Sequence, residues 1–490
     1  MNQTTIFDVL YPTYKITKPI RLIEFFAGYG SQALALKYLG VDFEHWKICE
    51  WAVKSIQAYK DIHFTSDNKD YSEFIDYKTL CEILKDLGIS SNYNEPMTMQ
   101  QISRLNEKQV RKIYSNIIAT NNLVNIQQVK GKDLQIEDTD KYDYILTYSF
   151  PCQDLSLAGK GKGMSDTSTR SGMLWEVERI LTECHELGSM PQILLMENVP
   201  QVHGADNVED FNKWQLRLEE LGYKNYWQDL IATDYGIPQT RNRCFMVSIL
   251  GDYNYTFPKP KPLKLKLKDM LEDNVDEKYY LSDKQLESLE HGNYNASKPS
   301  VKLEITDKGL CQTLDTMSGG NRQPLIRVKN ATKKGYLEAT DGDGIDISSR
   351  MEYHRGTVQK GKTQTLSTMG GENNGVVINP LKNKSGKSWQ FEQQVYDENG
   401  SARTLKASEG SGNIPKVIND LRIRKLTPRE CGRLQGVKDN DITKLLSNQS
   451  DSSAYHCFGD AITVPVLCAI FGELLQMDYK SIIERWNYNE

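Results

Sequence analysis

The sequence predicts an α/β protein: a Rossmann-like, doubly wound sheet joined to a separate unit that is mostly β or irregular. Three observations predict it. Short apolar runs of strand length alternate with helix-spaced segments from residue 20 to about residue 250. The first run leads through a glycine turn into a helix and the second ends in an acid, as at the start of a doubly wound sheet. Pro258, Pro260 and Pro262 then end the alternation, which returns only near Leu426.

Taken in order, Ile20 to Phe26 form the first strand, and Ala27-Gly28-Tyr29-Gly30 the turn. Ala33, Leu34, Leu36 and Leu39 recur at helical spacing, and Gly40 closes that helix. Trp46 to Cys49 form a second strand ending in Glu50-Trp51. Residues 61–125 are polar, with helical spacing over Tyr71 to Leu87 and Met99 to Ile118, and read as a helical insertion. Strand patterns resume at 144–148, 193–196 and 243–247. After the prolines, similar segments begin at Cys311, Thr363 and Ala402, each followed by a glycine loop. Their unequal spacings of 52 and 39 residues exclude a regular solenoid. The expected division is therefore 1–255 with 421–490 as one domain and 256–420 as another.

Composition narrows the class. Over 490 residues, 26% are charged and 39% hydrophobic, which excludes a mostly disordered or collagen-like chain. The net charge of −5 gives no global sign of a polyanion partner. Residues 256–420 carry 25 Lys plus Arg against 22 Asp plus Glu, however, so this unit is mildly basic within an acidic chain. The longest apolar run, Val464 to Phe471, falls short of the ~20 residues that span a bilayer. No signal-peptide pattern opens the chain, so a cytoplasmic location and no membrane partner are expected. The nine cysteines include no C-x-x-C pair, which argues against a disulfide framework and a zinc site, and no metal is expected. Most should be small buried hydrophobes.

Several motifs carry chemistry. The turn Phe26-Ala27-Gly28-Tyr29-Gly30, with Glu50 twenty residues on, suits a nucleotide-type cofactor, although such turns also serve plain strand-helix packing. Ser31 follows Gly30 and the third glycine of a dinucleotide fingerprint is absent, which favours a nucleoside cofactor such as S-adenosylmethionine. Trp51 is either an adenine-stacking ring or core. Pro151-Cys152-Gln153 follows a buried strand and precedes the loop Gly159-Lys160-Gly161-Lys162-Gly163, so Cys152 is placed either as a thiolate nucleophile or as a buried structural thiol. Glu197-Asn198-Val199 ends the next strand, offering an acid to the same crevice. Arg241 and Arg243 project to one face, as site residues or as surface charge.

Together these segments resemble the DNA cytosine-5 methyltransferase family of bacterial and phage type. The match runs through Phe26 to Gly30, Glu50-Trp51, Pro151-Cys152-Gln153, Glu197-Asn198-Val199, Gln239-Thr240-Arg241-Asn242-Arg243, Arg424 to Glu430 and Gly459-Asp460-Ala461-Ile462. The resemblance covers about residues 20–255 and 420–475. It implies an S-adenosylmethionine-dependent methyltransferase sheet, a target-recognition domain at 256–420, and duplex DNA as partner. Cys152 would attack C6 of a flipped cytosine, Glu197 would hold or protonate N3, Arg243 would bind O2 and Arg241 would support the pocket. Phe26, Ala27, Gly28, Tyr29, Gly30, Glu50, Trp51, Asp133, Pro151, Leu174, Asp460 and Ala461 would surround the cofactor. Glu50 would take the ribose hydroxyls and Asp133 the adenine amino group.

The chain departs from the family at Glu24 (usually Asp), at Ser31 (often Gly) and at Asp460 (usually Asn). Candidate DNA contacts are Gln153, Ser156, Lys160, Lys162, Arg322, Arg355, Lys362 and Arg403, any of which can equally be solvated surface groups. The chain is expected to act as a monomer in a bacterial cell or phage-infected host, with a cognate restriction endonuclease an open question. A tRNA methylase of the same family and a catalytically silent DNA-binding protein are the competing readings.

Overall fold

The computed structural model describes residues 12–151, 171–279 and 426–484, with Trp486, Tyr488 and short strands between 326 and 425. It divides into two compact units, Met1–Lys264 with Gly432–Glu490 and Leu265–Cys431.

The first unit is built on a six-stranded sheet of order β2-β1-β3-β4-β6-β5. Its strands are β1 (Ile20–Phe25), β2 (Phe43–Cys49), β3 (Asp143–Tyr148), β4 (Ile193–Asn198), β5 (Tyr223–Ile231) and β6 (Asn242–Leu250). β1 to β4 are parallel, while β6 runs antiparallel to both β4 and β5. Every residue of β3 and β4 is buried, as expected of central strands covered on both faces. β5 is a partly exposed edge strand with polar residues at most positions, so no apolar run announces it.

Helix α1 (Ser31–Tyr38) follows the glycine turn, and α2 (Val53–His63) follows β2. The expected insertion forms α3 (Tyr77–Leu87), α4 (Met99–Ile102) and α5 (Glu107–Ala119). The helix expected from Tyr71 begins only at Tyr77, because the Asp76 side chain caps it by accepting from the Thr79 N–H. The single helix expected over Met99 to Ile118 is two helices, because Asn106 and Gln109 form a capping box that starts α5 afresh. Nor is this segment detached. Leu80, Leu84, Ile102, Val110 and Ile117 share one buried cluster with Ile56 of α2. The chain then returns alongside β2, where Leu123 N–H donates to Ile48 O at 2.8 Å. Residues 121–123 thus prolong the sheet beyond β2 through the parallel bridge Ile48–Asn122.

Helices α6 (Leu174–Glu186) and α7 (Val208–Glu220) precede β4 and β5. Helix α8 (Pro428–Leu434) crosses the unit boundary, and α9 (Asp439–Leu446), α10 (Asp451–Asp460), α11 (Val464–Leu475) and α12 (Tyr479–Glu484) complete the first unit. Cys468 of α11 reaches Ala35 O of α1, and Lys37 pairs with Asp441 at 2.7 Å. The stretch 451–475 has the length and hydropathy of a membrane span, but 83% of its most apolar 18-residue window is buried inside the fold, which makes it core.

The compact units meet at 264/265 and 431/432, against the expected 255/256 and 420/421. Tyr235 OH donates to Pro258 O at 2.8 Å and Lys261 N–H to Asp234 O at 2.9 Å, which holds the prolines to the first unit. Thr427 N–H and Glu272 N–H both donate to the Glu430 carboxylate, at 2.7 and 2.9 Å, so 427–431 belongs to the second.

In the second unit the described elements are mostly short strands. β7 (Ile326–Lys329) and β8 (Tyr336–Ala339) form an antiparallel pair. β9 (Gly344–Asp346) lies between β10 (Val358–Gln359) and β11 (Asn374–Val376). β13 (Lys416–Asn419) pairs with β12 (Val395–Tyr396) and β14 (Arg422–Lys425). The segments beginning at Cys311, Thr363 and Ala402 lie outside the described residues.

Candidate active site

The C-terminal ends of β1 to β4 and the start of the reversed strand β6 share one edge of the sheet, where open α/β sheets bind ligands. On its β1–β2 side, Phe26 takes a left-handed φ of 55° and donates its N–H to Cys49 O at 2.8 Å. That bend aims the next amides at Glu50. Its Oε2 accepts from Gly28 N–H at 2.9 Å and its Oε1 from Ala52 N–H at 2.8 Å. The Glu50 backbone is fixed in turn by Asn122, whose Oδ1 accepts the Glu50 N–H at 3.1 Å and whose Nδ2 donates to Glu50 O at 2.9 Å. Burial pushes the Glu50 carboxyl up to about 7, with the amides of Ala52, Gly28 and Trp51 opposing the shift.

The two turn glycines do different things. A Cβ on Gly28, at φ +55°, would meet no heavy atom within 4 Å, so this position borders open space. A Cβ on Gly30, at φ +82°, would lie 2.5 Å from His63 Nε2 and 2.6 Å from Tyr59 Cε2. Behind the turn, Glu24 is fully buried, accepts from Tyr59 OH at 2.5 Å and from Ala33 N–H at 3.3 Å, and is raised by burial to about 7. His63 donates from Nε2 to Tyr29 O at 3.0 Å. The Tyr29 ring is buried against Phe458, so only its backbone can face a ligand. Ala27 is also buried, and half-buried Trp51 leans on the helical cluster around Ile56.

On the β4–β6 side, Glu197 ends β4 in a buried position with its Oε1 3.1 Å from Arg243 Nε. Burial raises its carboxyl while Arg243 and Arg241 lower it. Register explains the pairing: Glu197 lies opposite Phe245, so Arg243, two residues earlier, shares its face. Arg243 Nη1 also donates to Asn242 O at 2.7 Å. Arg241 is buried and donates to Gly459 O at 3.2 Å, tying the start of β6 to α10. Asn198 donates from Nδ2 to Phe150 O at 3.0 Å, so the Glu-Asn-Val turn positions the backbone leading to Pro151 and Cys152.

Asp460, at the end of α10, stands between the two sides. Its side chain is 54% exposed, but the crevice walls around it raise its carboxyl; Arg241 opposes this, and Glu50 and Glu197 add to it. Its Oδ2 lies 3.2 Å from His456 Nδ1, and the His456 ring stacks on Tyr93 at 3.8 Å. Neighbouring Ala461 is buried.

Two further expected cofactor residues, Asp133 and Leu174, lie in local structure of their own. Asp133 accepts the Lys130 N–H at 2.8 Å and so caps its own turn, Gly131–Leu134. That turn meets β2 at Trp46, whose Nε1 donates to Leu134 O, four residues short of Glu50. The segment that reaches Glu50 is instead 121–125, because the helices end beside β2. Leu174 is fully buried in the main core cluster at the start of α6. Cys152, Gln153, Ser156, Lys160, Lys162, Arg322, Arg355, Lys362 and Arg403 lie outside the described residues; Pro151, just before the first of these, is half-buried. Sequence reasoning missed Asn122, because its neighbours Asn121 and Asn125 read as loop. Only its register against Ile48 reveals it.

The family model for C-5 cytosine-specific DNA methylase matches residues 86–476. The chain belongs to this family. Among curated relatives, the type II methyltransferase M2.ScrFI of Lactococcus lactis subsp. cremoris is 30% identical over 93% of this chain and 99% of its own length. The orphan methyltransferase M.SssI of Spiroplasma monobiae is 36% identical over 54% of this chain and 68% of its own length. The fold is shared with the Entamoeba histolytica methyltransferase EhMeth, at TM-score 0.50 and 13% identity, covering 94% of this chain and 99% of that one.

As a DNA cytosine-5 methyltransferase, the enzyme uses S-adenosylmethionine as methyl donor. The residues present fit that cofactor: Gly28 borders open space, and the acid ending β2 is held facing it by backbone amides.

Proposed function

We propose that this DNA methyltransferase acts on C5 of a cytosine flipped out of duplex DNA in a specific sequence context, with Cys152 as nucleophile. The observation that carries the reading is the buried Glu197–Arg243 pair at the sheet edge, joined through Asn198 to the backbone that leads into Cys152.

Flipping is required because the ring cannot be reached within the stack. The Cys152 thiolate adds to C6, forming a carbon–sulfur bond and pushing electron density toward N3 and C5. Glu197, whose carboxyl burial raises against the pull of Arg243 and Arg241, holds or protonates N3, and Arg243 binds O2. When bound, S-adenosylmethionine would supply an electrophilic methyl group to C5 and leave as S-adenosylhomocysteine. The C5 proton then goes to a base and any proton given to N3 returns to Glu197 as Cys152 leaves as thiolate, which restores the aromatic ring. Glu50 orients the cofactor through its ribose hydroxyls, with Phe26, Gly28, Gly30 and Trp51 around it. Asp460 takes the position of the family's asparagine beside the cofactor.

Residues 265–431 serve as the target-recognition unit, with Arg322, Arg355, Lys362 and Arg403 as candidate contacts to bases or phosphates. The enzyme works as a monomer in the cytoplasm. Its relatives include both type II and orphan enzymes, so a partner endonuclease is tested by assaying the host lysate for cleavage of unmethylated DNA. The reading is tested by bisulfite sequencing of duplex DNA treated with purified enzyme, with tRNA as the competing acceptor. One cytosine within a fixed sequence should be converted, and Cys152→Ala should lose at least about 10⁴-fold in rate. Full activity of that variant, or methyl transfer to tRNA alone, contradicts it.

A further inference from the structure

We propose that His203, Asp229 and Cys244 form a binding site for one zinc-like divalent ion, with water completing its coordination. The three residues come from three elements of the first unit. His203 closes the 3-10 turn Pro200–His203 directly after β4, Asp229 lies on β5, and Cys244 is its register partner on β6. His203 Nε2 is 3.0 Å from Asp229 Oδ1, and donor atoms of all three lie within 4.8 Å of one another. Tetrahedral zinc, with ligand bonds of about 2.0–2.3 Å, places its donors roughly 3.3–3.8 Å apart. The set therefore closes on an ion with inward movement of about 1 Å at its widest separation.

The chemistry of the donors selects the ion. One imidazole, one carboxylate and one thiol suit zinc or cobalt, whereas magnesium and calcium prefer oxygen alone. Cys244 is buried, while His203 and Asp229 are partly exposed, so an ion enters from the solvent side and retains water there. Trp227 and Phe211 flank the imidazole, with ring centroids 4.7 and 6.2 Å from it, and restrict its rotation. Binding releases the Cys244 thiol proton to solvent as the metal–sulfur bond forms. The absence of C-x-x-C spacing speaks only to ligands adjacent in sequence. These three are brought together by the reversal of β6.

The position gives the ion a role. Cys244 faces the side of the sheet opposite Arg243, and its partner on β4 is Asn198. An ion here clamps the turn after β4 to β5 and β6, fixing from behind the strand ends that carry Glu197 and Arg243. It touches no reacting atom, so these are positioning ligands.

The test is titration of the chelator-treated full-length enzyme with Co²⁺, followed by the thiolate-to-cobalt absorption in the near ultraviolet. The wild type should saturate at one ion per chain, and Zn²⁺ should displace the cobalt and raise the melting temperature. His203→Ala and Asp229→Asn, at partly exposed positions, should each weaken binding at least about tenfold. Cys244→Ala should abolish the absorption, and Cys152→Ala should leave it intact. Absence of the band in the wild type, its persistence in Cys244→Ala, or its loss in Cys152→Ala overturns the proposal.

Discussion

On the β1–β2 side of the crevice Glu50 is held by the amides of Gly28 and Ala52, whereas on the β4–β6 side Glu197 faces the guanidinium of Arg243. Backbone donors keep their geometry whatever the charge of the acid, which suits a group that orients hydroxyls and does not change during the reaction. An arginine partner makes its acid sensitive to charge appearing nearby, which suits a group that exchanges a proton with a ring. On the proposed function the two sides divide binding from chemistry, and substitutions should separate them.

The largest expected separation is at Glu197. Glu197→Gln should lower single-turnover methyl transfer by about 10²–10⁴-fold, yet leave cofactor affinity within about twofold by calorimetry. Glu50→Ala should do the reverse, weakening cofactor binding by about ten- to hundredfold while methyl transfer at saturating cofactor falls much less. Equal losses in both measurements for both variants would erase the division.

The turn glycines sharpen it further. Gly30→Ala pushes a methyl into His63 and Tyr59 and should cost about 1–3 kcal/mol of stability in urea unfolding. Gly28→Ala meets no neighbour and should cost about 1 kcal/mol through its left-handed backbone, but raise the KM for cofactor.

A separate effect concerns pH. The folded Glu24 and Glu50 carboxyls are raised from 4.5 to about 7, so between these values the folded chain binds protons that the unfolded chain has lost. Stability should therefore fall as pH rises from about 4.5 through 7. Glu24→Gln or Glu50→Gln should flatten the melting temperature across that window; an unchanged slope would show that these acids do not titrate there.

The same two sides differ in how far they could be read from sequence. Strands β1 to β4 and β6 are visible as apolar runs, with Glu50 just past β2 and Glu197 near the end of β4, but Arg243 at the start of β6 reaches the same edge only because β6 runs antiparallel, which periodicity does not show. β5 is hidden because an edge strand carrying Lys224, Gln228 and Asp229 lacks a continuous apolar face. The helix break at Asn106 rests on a capping box within an otherwise continuous helical pattern. Asn122 was hidden because nothing in the polar stretch after the three helices says where the returning chain meets β2. The Glu24–Tyr59 pair joins residues 35 apart that only the sheet brings together.

The most direct measurement is covalent trapping on duplex DNA containing 5-fluorocytosine in the target sequence, where the methylated adduct cannot lose fluorine and stays attached. With cofactor present, the wild type should form a denaturation-resistant complex and Cys152→Ala none. Glu197→Gln should form it slowly, and Glu50→Ala should form it near the wild-type rate once cofactor is saturating. A complex that survives Cys152→Ala, or one that Glu197→Gln forms at the wild-type rate, would contradict the assignment of chemistry to the β4–β6 side.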